Sequence, residues 1–326
     1  MSIFTERWKS YATGAYGLRI VSLLPSATEI LYAIGAGADV VGVSHECDYP
    51  SDASTKLKII DPLLDNNQPQ SEKIDEIVIE HLRHGESLYR VNIDQLRKAD
   101  PDLIITQELC DVCAVGAEDV LTAVSQLGRP VHVLSLNPHS LRDVQDDVRR
   151  VGKAVGRAEQ AERVVSDLQR KIEDIRALTR TANKRRVFCA EWLKPLMNAG
   201  HWVPEMVEHA GGRDELAVGG KPSTYVHWNA VMKYNPEVIV LMPCGFTTQK
   251  TLTETKRLFD FGKLESVTAV RSGDVFATNG NDYFSRSGPR LFDGVRILAQ
   301  MIHPELFHET LDPELGMRVE VATAKL

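Results

Sequence analysis

A chain of 326 residues, 43% hydrophobic and 25% charged, has globular composition and about twice the length of a typical domain. A formal charge of −7 and the lack of a basic stripe exclude a nucleic-acid binder. The longest apolar run, residues 20–34, is broken by Pro25, Ser26, Thr28 and Glu29, well short of the ~18–20 apolar residues a membrane helix needs, so no membrane insertion is expected.

In chain order, residues 1–17 are polar and carry neither the apolar stretch nor the cleavage site of a secretory leader, which predicts a cytoplasmic protein with an N-terminal extension. Residues 18–140 read as an α/β lobe. "RIVSLLPSATEILYAIGAGADVVGV" predicts a strand at 20–24, a Pro-Ser turn, a helix, a glycine stop and a strand at 40–43. Residues 61–88 read as irregular. "LRKADPDLIITQELC" predicts a helix end, an Asp-Pro break, a strand at 103–106 and then a cysteine, and "RPVHVLSLNP" adds a further strand.

Residues 141–180 form an amphipathic stretch with apolar positions three or four apart, predicting a helix that joins two lobes and that Gly152 or Gly156 divides or kinks. Residues 181–309 repeat the first pattern. A strand at 187–190 is followed by a loop and a helix opening at Pro204. Residues 213–228 read as irregular. "VMKYNPEVIVLMPC" mirrors 96–110 with an Asn-Pro break, and a strand follows at 275–278. Residues 310–326 read as a polar tail. Short apolar strands alternating with helices predict parallel βαβ units, hence two Rossmann-like α/β lobes.

In such sheets ligands gather beyond the carboxyl ends of the strands. By that rule Pro25, Ser26 and Thr28 open a helix with unsatisfied backbone N–H groups. Cys47 follows the strand at 40–43, and Cys110-x-x-Cys113 follows the strand at 103–106. Glu191, Trp192, His201 and Trp202 follow 187–190, Cys244 follows 238–242, and Tyr283 and Arg286 follow 275–278. Cys189 falls inside a strand as a small buried side chain. The Cys110-x-x-Cys113 pair has three readings: a redox pair, half of a zinc or iron–sulfur site completed by Cys47 and Cys244, or packed thiols. Trp192, Trp202 and Tyr283 could cover a flat ligand or simply pack. Arg286 could grip an anionic edge or form a salt bridge. His201 could be a solvated loop residue, Trp228 a packing residue, and His81 and His84 part of a wet helix face. No phosphate loop, nucleophile elbow or His-Glu-x-x-His motif is present, so no catalytic residue is assigned.

Over roughly residues 18–308, "RIVSLLPSATEILYAIGAGADVVGVS" with its following "DYP", then "ADPDLII", "AGGRDEL", "NPEVIVLM" and "VFATNG", resembles the class III substrate-binding proteins of ABC transporters, the vitamin B12 and siderophore type. The resemblance implies two α/β lobes joined by one long helix, with a ligand cleft between them. It implies a small-molecule ligand, cobalamin or a related corrinoid first, held without catalysis. The lack of a leader, and "HEC", "CDVC" and "MPCG", set the chain apart from the transport members and argue against a transporter partner. A cytosolic metalloprotein or redox protein working at Cys47, Cys110, Cys113 and Cys244 is the competing expectation.

Overall fold

The apolar run after Arg19 becomes β1 (Ile20–Ser22) in the computed structural model, which describes residues 17–63, 70–84, 87–107 and 117–320. Pro25 then starts α1 (Pro25–Ala33), the position where proline's missing N–H costs nothing. The chain continues through β2 (Val40–Val43), β3 (Leu57–Lys58), β4 (Ile60–Pro62), α2 (Ser71–His84), β5 (Tyr89–Val91), α3 (Ile93–Ala99), β6 (Leu103–Gln107), α4 (Ala117–Ser125) and β7 (His132–Leu136). Two compact units result. One holds the chain up to Asn67, with Ile77–Pro138 and Arg142–Asp167. The other holds Gln68–Glu76, His139–Leu141 and the chain from Leu168.

The first unit is built on a parallel sheet in the order β3-β2-β1-β6-β7, with β4 and β5 paired antiparallel beside it. Its core joins Val21, Leu23, Ile59, Leu96 and Ile104, all buried, each burial being worth about 1.5–3 kcal/mol. The region expected to be irregular contains α2. Ile74, Ile77 and Val78 give it a narrow apolar stripe, and Glu72 at its start and His81, Arg83 and His84 at its end suit the helix dipole. His81 is half-buried and His84 exposed.

The stretch expected to be a helix divided or kinked at Gly152 or Gly156 is two helices: α5 (Leu141–Ala154) and α6 (Ala158–Thr179). Gly156 stands at φ 70° between them. Arg157 N donates to Gly152 O at 2.7 Å and Gly156 N to Lys153 O, the paired bonds of a Schellman stop. Gly152 also lets α6 approach, since a Cβ there would lie 2.4 Å from that of Ala161. The boundary between the units falls inside α6, at Asp167–Leu168.

The second unit runs through β8 (Arg185–Trp192), β9 (Met197–Asn198), α7 (Val203–His209), β10 (Gly212–Arg213), α8 (Trp228–Tyr234), β11 (Val238–Leu241), α9 (Thr248–Leu258), α10 (Thr268–Ser272), β12 (Val275–Thr278), α11 (Leu291–Ile302) and β13 (Gly316–Arg318). Its main sheet has the order β10-β8-β11-β12-β13, and β10-β8-β11-β12 repeats the parallel order β2-β1-β6-β7. The repeat extends to its punctuation. Asp100 and Asn235, each just before a proline, close α3 and α8 at φ 43° and 51°. β13, in the stretch expected to be a tail, runs antiparallel to β12, because Val319 is buried and Met317 packs on the core of Phe188, Ile239 and Val275. Trp228 packs edge-on against Phe188 and Phe259.

Within the second unit, Ser71 N and Oγ donate to the buried Glu254 carboxylate at 2.7 and 2.8 Å. Arg257 joins Glu254 to Glu72, and its hydrogen bonds hold the Glu72 carboxyl down at about 2. A depressed carboxylate stabilises the fold above its ordinary value near 4.5 and loses that contribution as pH falls toward about 2. Glu72→Gln is therefore expected to cost about 1 kcal/mol at pH 7, with the gap to wild type closing as pH drops from 4.5 toward 2. Denaturant midpoints across that range check it, and a gap independent of pH speaks against the pairing.

Candidate functional site

In the first unit Leu24 caps α1 without a side-chain bond, and Pro25 and Ser26 form its first turn at the carboxyl end of β1. Thr28 is fully buried: its Oγ1 lies 2.8 Å from Ser22 Oγ and 3.1 Å from Cys47 Sγ. That makes Thr28 a brace tying the exits of β1 and β2 together, with its hydroxyl already engaged. Lys58 Nζ donates to the carbonyls of Ser44 and Cys47 at 3.3 and 3.0 Å, fixing the loop after β2. His45 on that loop lies against Tyr89, ring centres 5.4 Å apart. Burial, helped by the Lys58 charge and opposed by Glu46 and Asp61, pulls the His45 imidazole below its usual range.

In the second unit the strand β8 runs on to Trp192, so Glu191 and Trp192 are its last residues rather than part of the following loop. The half-buried Trp192 meets Phe246 edge-on at 5.6 Å, and Lys250 Nζ stands 4.0 Å over the Phe246 ring. Phe246 belongs to the loop after β11, where Cys244 N donates to Glu191 O at 3.2 Å. Glu191 is half-buried. Burial pushes its carboxyl up, against the hydrogen bonds from Ser223 Oγ, at 2.6 Å, and the Gly200 amide.

The loop before α7 carries His201 in a left-handed conformation, φ 50°, uncommon for a residue with a side chain. Two backbone bonds hold it: His201 N to Lys221 O at 2.6 Å and Gly220 N to His201 O at 2.8 Å. Its ring, half-buried, stacks on His139 at 6.0 Å and tilts against Trp202 at 5.5 Å. Burial and the neighbouring His139 lower its pKa. Trp202 itself is 5% exposed, and its Nε1 donates to Phe284 O at 2.7 Å. Beyond β12, Tyr283 is half-buried beneath the Arg290 guanidinium, and Arg286 is buried with Nη1 4.0 Å from Asp282.

A periplasmic binding protein model matches residues 20–281. The chain belongs to the periplasmic binding protein family. It is 27% identical over 300 residues to the ABC transporter substrate-binding lipoprotein YvrC of Bacillus subtilis, covering 89% of this chain and 82% of that one. It is 25% identical over 279 residues to the vitamin B12-binding protein of Vibrio cholerae, covering 85% and 86% of the two chains. Among solved structures it is similar in fold to the periplasmic haem-binding protein RhuT from Roseiflexus, with a TM-score of 0.65, 21% identity and coverage of 90% and 100%.

Cys47, Cys189 and Cys244 are the cysteines among the described residues. Cys47 is 1% exposed beneath Thr28 in the first unit, and Cys244 is half-buried on its loop in the second. Cys110 and Cys113 lie outside the described residues. Among the described residues no group of three or more His, Cys, Asp or Glu side chains could hold a metal ion. Cys189 is fully buried in β8, and burial raises its thiol, as expected of a packed side chain. No helix among the described residues is long and apolar enough to cross a membrane. The sequence reading passed over His139, Ser223 and Lys250. For His139 a signal existed: it lies three residues beyond β7, where the rule of strand carboxyl ends already pointed. Ser223 and Lys250 gave none, being ordinary polar residues whose roles depend on loop folding. An open groove of about 270 Å³ lined by Leu193, Leu196, Trp228 and Phe259 flanks the exit of β8.

Proposed function

We propose that the chain is a non-catalytic binding protein for a metal-bearing macrocycle or chelate, with a corrinoid as the first candidate. The observation that carries the reading is the ring surface at the carboxyl edge of the second unit. Trp192, edge-on to the buried Phe246, and His201 with His139 are half-buried rings on strand ends and loops. Partly exposed flat rings with a few fixed polar groups suit a large, mostly apolar ligand. Glu191 and Lys250 would meet its polar edges. The vitamin B12-binding and haem-binding relatives support the ligand class, and the transporter lipoprotein among them supports a transporter partner, the opposite of the expectation.

Thermal unfolding with cyanocobalamin, cobinamide or haemin at up to ~100 µM tests the reading. A ligand with a Kd near 1 µM stabilises the fold by about 2.7 kcal/mol at that hundredfold excess. No shift with any of the three sinks it. A shift with one of them that Trp192→Ala reduces supports it and places the ring surface in the contact.

A further inference from the structure

We propose that Glu191, Ser223 and the Gly200 amide form a proton-operated clasp that sets the affinity of the ring surface, gripping the ligand at neutral pH and loosening on acidification. The inference deepens the reading above and rests on it for the ligand, although the clasp itself can be read without one. Ser223 Oγ accepts the Gly200 N–H at 3.0 Å and donates to Glu191 Oε2 at 2.6 Å. A hydroxyl about 2.5–2.7 Å from a carboxyl oxygen has the separation of a bond to an ionised acceptor. The clasp in this geometry is therefore the charged one. Burial works against it and pushes the Glu191 carboxyl up, so the charge rests on the bonds from Ser223 and Gly200.

What the clasp holds has little slack. The segment that carries Ser223 also accepts the His201 N–H on Lys221 O at 2.6 Å, and Gly220 N beside it donates to His201 O at 2.8 Å. Those bonds keep His201 at φ 50°. Gly200 packs so closely on the segment that a Cβ there would stand 2.4 Å from Lys221 O. A proton on Glu191 removes the charge to which Ser223 donates, and it loosens that segment, His201 and the end of β8 with Trp192 together. Few other charges are placed to do this. The titratable groups on the elements packed there are His201 with the His139 ring beside it, Lys221, and Cys244 on the loop after β11, while β9 brings the uncharged Met197 and Asn198. Among the described residues none of them forms an ion pair with Glu191.

Two readouts on the full-length chain test the clasp, with circular dichroism confirming that each variant folds. The first needs no ligand. Tryptophan fluorescence is followed from about pH 8 down to the ordinary carboxyl value near 4.5, since Trp192 adjoins Glu191 and Trp202 lies 5.5 Å from His201. A step present in wild type and in His201→Asn, asparagine being tolerant of the left-handed backbone, but absent in Glu191→Gln supports the clasp. Ser223→Ala moves the step to higher pH, because the lost bond opposes protonation. No step in wild type, or a step that survives in Glu191→Gln, overturns the clasp. If Glu191→Gln does not fold, Ser223→Ala decides alone, and an unmoved step overturns it. The second readout is affinity for cyanocobalamin, cobinamide or haemin by calorimetry. A bond to a charged acceptor is about twice as strong as one to a neutral acceptor, so wild-type binding is expected to weaken about fivefold across that range, while Glu191→Gln binds weakly at both ends. Wild-type affinity that does not change with pH, or a fall of the same size in Glu191→Gln, overturns the clasp as the control of binding. A fluorescence step without binding of any of the three probes upholds the clasp and sinks the ligand reading instead.

Discussion

Trp202→Ala is expected to remove about 3–5 kcal/mol from the stability of the second unit. In the sequence Trp202 reads equally well as a cover for a flat ligand. In the structure it is 5% exposed, and its indole N–H is committed to the Phe284 carbonyl at 2.7 Å. Truncation to alanine loses the buried ring and opens a cavity between α7 and the turn after β12. It also takes the donor from the Phe284 carbonyl, a loss worth about 0.5–1.5 kcal/mol in itself. Trp202→Phe separates the two terms, keeping most of the apolar burial and losing only the bond. Guanidinium denaturation reads the result. A cost below about 1 kcal/mol for the alanine variant would mean a surface ring and would return Trp202 to the ligand.

The strands β1, β2, β6, β7, β8, β11 and β12 were legible because each carries a short apolar run beside a turn signal. The repeat was legible because the same Asp-Pro and Asn-Pro junctions stop corresponding helices. α2 was hidden because Glu72, Lys73, Asp75, Glu76 and Glu80 crowd in among its apolar positions. β13 was hidden because a three-residue edge strand has too little period to read. The rule of strand ends placed Glu191, Trp192 and His201 at the carboxyl edge of the second unit, yet it could not tell which side chains are spent on internal contacts. Thr28 is braced against Ser22 and Cys47, and Trp202 is tied to Phe284, because burial depends on what the next loop does. Cysteine spacing has the same weakness. It proposes ligands, yet no spacing rule anticipates that Cys47 is 1% exposed with the Thr28 hydroxyl against its sulfur.

Gly200→Ala is expected to cost about 3 kcal/mol, at the upper end of overpacking, and to weaken ligand binding by more than any single contact residue. A Cβ at Gly200 would stand 2.4 Å from Lys221 O, 2.6 Å from Ser223 N and 2.7 Å from Pro222 C. All three are backbone atoms, so no side chain can swing aside. The 221–223 segment has to move by about an ångström to reach ordinary contact. That segment accepts the His201 amide and supplies Ser223 Oγ, which takes the Gly200 N–H at 3.0 Å and donates to Glu191 at 2.6 Å. Moving it frees His201 from its left-handed conformation and strips Glu191 of the bonds that oppose the upward push of burial, so its carboxyl rises further. Gly219→Ala is the control. A Cβ there meets only Pro204 Cβ at 3.9 Å, and a change within about 0.5 kcal/mol is expected. Urea midpoints and ligand-induced melting shifts on both variants decide the matter. If the two alanines behave alike, the close approach at Gly200 does not set the position of His201 and Glu191.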